Sequence, residues 1–127
     1  MSFTNAHETH LLTYTFTATS VTRPTAWYIG LFTGAPGEAG GGTEISGNAY
    51  ARKTVAFTIS GNSATNTSAV EFTAASGGNW GTITHVAIFD ASSSGNMIAY
   101  SALSASKTIN DGDAFRIPAS NLTITLD

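Results

Sequence analysis

TITHVAIFD, residues 82–90, is the strongest strand signal in this chain, and the fold class turns on it. Its β-branched and aromatic residues suit a pleated, half-buried surface. It leads through ASSSGN, residues 91–96, into MIAYSAL, residues 97–103, so the pair reads as a hairpin with a long loop. Upstream, after the break at Arg23-Pro24, AWYIGLF (26–32) reads as a buried strand with Trp27, Ile29 and Leu31 on one face. YARKTVAFTI (50–59) alternates Val55 and Phe57 against Thr54, Ala56 and Thr58, which is the pattern of a half-buried strand. SAVEF (68–72) is another short strand. Downstream, NDGD (110–113) carries the Asp-Gly signal of a tight turn between SKTI and AFRIP, and LTITLD closes the chain. The expectation is a mainly β domain of about eight short strands, an antiparallel β-sandwich or jelly roll. An α/β fold would need helices between the strands. Ser-Gly-Asn recurs at 46, 60 and 94, unevenly spaced, as turn chemistry rather than as a structural repeat.

The N-terminal stretch NAHETHLLTYTF (5–16) points two ways. Its Thr and aromatic residues favour a strand. Against that, Asn5 followed three places later by Glu8 fits a capping box, and Leu12 and Phe16 lie four apart on one helical face. A short N-terminal helix is expected, with a strand as its rival. Residues 33–48, with Pro36 and six glycines between 34 and 47, are expected to form one long Gly-rich loop within a single domain spanning 1–127.

Composition narrows the function. At 127 residues and 42% hydrophobic, the chain can bury one core. Only 10% of its residues are charged, so its solvent faces carry hydroxyls more than ions, and such a surface tolerates close self-association. The net charge is −3 and the five basic residues are scattered, so no basic stripe offers itself to nucleic acid. Cysteine is absent, which removes disulfides and thiolate chemistry. The N-terminus MSFTNAHETHLL has neither a basic nor an apolar signal region, and no apolar run reaches membrane-spanning length.

AGGGTEISGNAYAR, residues 39–52, is the densest glycine stretch and raises the question of a phosphate-binding loop. A phosphate loop needs Lys-Ser/Thr after its glycines at the mouth of a helix, but the first lysine is Lys53 and the following segment reads as strand. His7 and His10 stand at helical spacing without a signalled third metal ligand. A Ser–His85–Asp90 triad or a Glu44–Glu71 carboxylate pair can be assembled only on paper. Asn66-Thr67-Ser68 and Asn121-Leu122-Thr123 match a glycosylation pattern that carries little without a secretion signal. No catalytic, cofactor or metal residue is assigned. Trp27, Phe32, Phe57, Phe72 and Phe89 read as core aromatics. Tyr50 and Trp80 lie instead beside Gly-rich loops, and Trp, Tyr and Arg are the residues that anchor interfaces. The interface candidates are Glu44, Gly47, Tyr50, Arg52 and Trp80, with a core-covering role as the alternative for Trp80.

HLLTYTF, AWYIGLFTGAP, GTEISGNAYARKTVAF, NWGTITHVAIFDASSSGNMIAYSAL and KTINDGDAFRIPASNLTITLD together resemble small β-sandwich structural proteins of tailed bacteriophages, often labelled tail-fibre or minor virion proteins. The resemblance implies a virion component without catalysis, with other virion proteins as partners and neither membrane nor nucleic acid. The chain lacks the length, repeats or heptads that project a fibre tip. That favours a capsid decoration (cement) protein bound to the major capsid protein, with residues 33–48 as an arm that orders on assembly. The alternative is a small tail-fibre or adhesion protein on a tail partner. A homo-oligomer, with a trimer favoured, follows from strand edges with few guarding charges.

Overall fold

TITHVAIFD lies between its two sequence-expected neighbours, pairing with the strand from MIAYSAL on one side and with that from AWYIGLF on the other, and the three form the spine of the main sheet. The computed structural model describes Met1–Asp127 and contains one helix and eleven strands. In chain order these are β1 (Ser2–Phe3), α1 (Asn5–Phe16), β2 (Tyr28–Gly34), β3 (Thr43–Glu44), β4 (Lys53–Thr54) and β5 (Phe57–Ser60). They continue with β6 (Ser63–Asn66), β7 (Val70–Glu71), β8 (Gly81–Phe89), β9 (Met97–Ile109), β10 (Arg116–Ile117) and β11 (Thr123–Thr125). The main sheet runs β1-β9-β8-β2, and the outer edge of β2 is shared by β4 at Tyr28 and Ile29 and by β3 at Phe32 and Gly34. A three-stranded sheet β11-β6-β5 and a pair β10-β7 complete the molecule, and every pairing is antiparallel.

Side chains of a strand alternate between faces, and the main sheet uses both. Ile29, Leu31, Val86 and Ile88 point inward, where they meet Val70, Phe72, Phe115, Ile117 and Leu122 in a core of 17 buried residues. Phe32, Ala87 and Phe89 point outward and form a second, smaller cluster with Met97 and Tyr100 beside them. The registers Ile29↔Ile88 and Leu31↔Val86 place like faces together. The β8–β9 register shifts between Ile83 and His85 and again between Ile88 and Phe89.

The expected β-rich class and the N-terminal helix are both present, but several details differ. There are eleven strands rather than about eight, because two-residue pairings such as β1 and β3 carry no periodicity for a sequence to show. The alternation across 50–59 spans two strands. The chain leaves the main sheet at Val55, whose N–H donates to Trp27, and enters the three-stranded sheet by way of Ala56, whose carbonyl accepts from Thr67. Alternation survives a change of sheet, so it conceals one. NDGD does turn the chain, with Asp113 N–H donating to Asn110 O, yet β10 pairs with β7 instead of folding back on β9.

The helix cap lies one residue earlier than expected. Thr4, not Asn5, is the N-cap, with an extended backbone at φ −75° and ψ 156°. Its hydroxyl accepts from His7 N–H at 3.4 Å and donates to Met97 O at 2.7 Å, and the residue is 2% exposed. Thr4 therefore caps α1 and anchors it to β9 at the same time, which Asn5, on the solvent side, does not. No residue within α1 is buried.

Candidate functional site

The Gly-rich segment is shorter and more ordered than one loop over 33–48. Thr33 and Gly34 finish β2, Thr43 and Glu44 pair back onto it as β3, and only residues 35–42 lie between. Gly37 and Gly40 exchange both backbone hydrogen bonds, at 3.0 and 2.8 Å. Gly42 has φ +81°, and a Cβ there would approach Gly34 O to 2.7 Å, so only glycine lets the two backbones pass. Glu38 ties the loop to the body. Its carbonyl accepts from Asn5 N–H at 2.8 Å, and its carboxylate accepts from the Tyr100 hydroxyl. The free arm expected from glycine density is instead a folded-back connection with its own hydrogen bonds.

Four of the five interface candidates converge at its base. Glu44 Oε1 accepts from the Tyr50 hydroxyl at 2.9 Å and from Arg52 Nε at 2.7 Å, and its Oε2 accepts from Arg52 Nη2 at 2.8 Å. Arg52 Nη1 donates to Ala91 O and Ser94 O, at 2.9 and 2.8 Å, in the β8–β9 loop. The guanidinium also lies 3.5 Å from the centroid of the Phe89 ring, a cation–π contact on the outer cluster. The Tyr50 oxygen accepts from Leu31 N–H at 2.9 Å. Its ring stacks on Phe72 at 6.2 Å and meets Trp80 edge-on at 5.5 Å, while Trp80 Nε1 donates to Asn48 O at 2.9 Å. Trp80 is buried and belongs to the core, which is the alternative reading of that residue. Gly47 stands apart: it is exposed, with φ +74°, in the turn where its carbonyl accepts from Tyr50 N–H.

The electrostatics suit a clamp. Burial raises the Tyr50 phenol above its ordinary range. The Leu31 N–H opposes that shift and the Glu44 carboxylate adds to it, so the hydroxyl stays a neutral donor. Asp90 is shifted down: slight burial opposes the shift, but hydrogen bonds from Asn96 N–H and Nδ2, at 2.7 and 3.0 Å, outweigh it. Those bonds close the 90–96 loop whose carbonyls Arg52 grips. Above this network lies a cleft of about 610 Å³, lined by Asn5, Gly41, Phe89, Asn96 and Met97, with Glu44 and Arg52 at its base.

The arrangement binds parts of one chain together, and its reactive groups are occupied in doing so. The paper constellations come apart. Glu71 pairs with Arg116 at 2.9 Å in the other layer, away from Glu44. His85 Nδ1 contacts Thr84 Oγ1, and Asp90 is taken up by Asn96. His7 lies partly buried beside the Phe3 ring, 5.0 Å away. That burial, with His10 alongside, lowers its pKa. No three His, Asp or Glu side chains gather as a metal site would require, and no helix is long and apolar enough to cross a membrane. Sequence reading missed Glu38 and Asp90 as structural partners. The Asp90–Asn96 pair was within reach, since the two residues bracket the hairpin loop, whereas Glu38 and Tyr100 are 62 positions apart with nothing to link them.

No curated protein matches the chain. A family model described as podophage GP4 fiber I protein gp80 does match it, over residues 2–125. That span begins in β1 and ends at the close of β11, so it takes in both layers, the Gly-rich connection and the Glu44–Arg52 clamp. On this match the chain belongs to the podophage GP4 fiber I protein gp80 family.

Proposed function

We propose that this chain is a non-catalytic structural subunit of a bacteriophage tail fibre, working by fitting against neighbouring virion proteins. The observation that carries this reading is the family match over residues 2–125. The geometry agrees with it: Glu44, Arg52 and Tyr50, the residues best suited to chemistry, satisfy one another inside the chain. The expectation of capsid decoration rested on the absence of length, repeats and heptads. That absence carries little weight, because a fibre can gain length from several copies or from other chains. The partner on this reading is a tail protein.

Gold labelling of purified virions with an antibody to this chain, together with its copy number per particle, tests the proposal. Label confined to the tail at low copy number is expected. Label across the head at high copy number would return the capsid-decoration reading.

A further inference from the structure

Helix α1 is fastened to the body at its start and only lightly thereafter. Thr4 is buried beneath its first turn, and within the helix only His7, Leu11 and Thr13 are even half-buried. Twelve residues are marginal for a helix standing alone, and this one includes three threonines and two aromatics. Residues 17–27, which lead back to β2, form neither helix nor strand. A small change in free energy at the joint is therefore enough to free the helix while the sheets stay intact.

That joint is built around an imidazole. His7 lies against the Phe3 ring, with centroids 5.0 Å apart, and the His10 ring is 6.3 Å away. A cavity of about 190 Å³ between α1 and the body is lined by His7, His10, Arg23, Asp90 and Ile98. A second, of about 280 Å³, is lined by His7, His10, Leu11 and Arg23. The charged and titratable groups around His7 are thus His10 from its own helix, Arg23 from the returning segment and Asp90 just beyond β8, while β1 and β9 present the uncharged Phe3 and Ile98. Arg23 enters neither of the chain's two ion pairs, and both Asp90 oxygens are engaged by Asn96. Glu8 lines neither cavity. A proton on His7 would leave water for the side of a phenyl ring and meet a second imidazole and a guanidinium, with one occupied carboxylate to offset them.

We propose that protonation of His7 releases α1 from the body, so that mild acid turns residues 8–16 from a docked helix into a loose arm tethered by β1 and Thr4. The tether itself does not titrate: Thr4 N–H donates to Ile98 O and its hydroxyl to Met97 O, both in β9. A detached His7 takes up its proton near the ordinary 6.5, whereas the docked one, half-buried and beside His10, holds off to lower pH. Docking is therefore at full strength above that value. It weakens about tenfold for each pH unit below, until the docked imidazole is protonated as well.

Backbone and imidazole NMR of the full-length chain from about pH 7.5 to about pH 5 tests this. In the wild type the Cα shifts of residues 8–16 are expected to move toward coil values as the pH falls, in step with the His7 ring, while those of β8 hold. His7→Gln should keep the helix across the range. His10→Gln and Arg23→Gln alter exposed side chains and retain His7, so they also serve where His7→Gln loosens the helix at every pH. Each should move the His7 titration upward and shrink the helix transition, which loss of a merely structural contact would not do. Helix shifts that ignore pH, a transition that persists in His7→Gln, or a His7 titration indifferent to both neighbours would each overturn the proposal.

Discussion

Arg52 shows how one side chain joins three pieces of chain that are distant in sequence. Its guanidinium is bidentate on Glu44, reaches two carbonyls of the 90–96 loop and covers the Phe89 ring. Only a planar fork with several donors meets all of these at once, so lysine is not a conservative replacement. The side chain is 8% exposed and Glu44 24%, so the pair is shielded and its loss is costly. Arg52→Ala leaves a half-buried carboxylate with only the Tyr50 hydroxyl and should cost about 3–5 kcal/mol. Arg52→Lys should cost about 2 kcal/mol, since charge is kept and the carbonyl contacts are lost. Urea unfolding measures both, and a lysine variant as stable as wild type would refute the clamp.

At the scale of elements, α1 depends on its N-cap residue more than on its own body. Thr4 supplies the cap and the anchor to Met97 O, while no residue within the helix is buried. Thr4→Val keeps the shape, removes both hydrogen bonds and should cost about 1–2 kcal/mol. The loss falls on the helix before the sheet. Amide exchange should therefore accelerate across residues 8–16 with little change in β8, and equal acceleration in both would contradict this division. The Gly-rich connection behaves in the opposite way. It is held at both ends by β2–β3 pairing and in the middle by Glu38; Gly42 lets two backbones pass closely, while Gly40 and Gly41 supply the positive φ that the turn requires.

At the scale of the molecule, Asn66 fastens the second layer. It is 1% exposed, its amide donates to Ser68 O and Pro118 O at 3.0 and 2.9 Å, and its oxygen accepts from Leu122 N–H at 2.9 Å. Its backbone adds a bond to Leu122 O and accepts one from Ser120. The last turn of the chain is thereby fixed to β6, which lets β11 pair with that strand. Asn66→Leu matches the volume but leaves two carbonyls and an N–H without partners, so about 3 kcal/mol of destabilisation is expected. Because β6 bridges β5 and β11, the loss should appear as one cooperative drop in the thermal midpoint. An unchanged midpoint would show that this fastening is dispensable. In sequence, Asn66 looked like a chance glycosylation acceptor, whereas in the fold its amide is fully engaged.

What the amino-acid order determined by itself is what local physics can settle. Alternation and β-branching around TITHVAIFD set the β class and the β8–β9 hairpin, Asp-Gly set the turn at 111–112, and the i, i+4 apolar spacing tipped residues 5–16 toward helix. Glycine density marked an irregular connection, but its folded-back course was decided by the pairing of β3 on β2 and by Glu38. Tertiary structure alone decided which strands share a sheet, because pairing β10 with β7 instead of β9 depends on contacts some 45 residues apart. It also decided the direction in which polar anchors face. Tyr50, Arg52 and Glu44 have the chemistry of an interface, yet the fold turns them inward on one another, while Leu12, Tyr14 and Phe16 have the chemistry of a core and are left in water. A side chain's chemistry follows from its identity; whether its partner belongs to the same chain follows only from the fold that brings distant segments together.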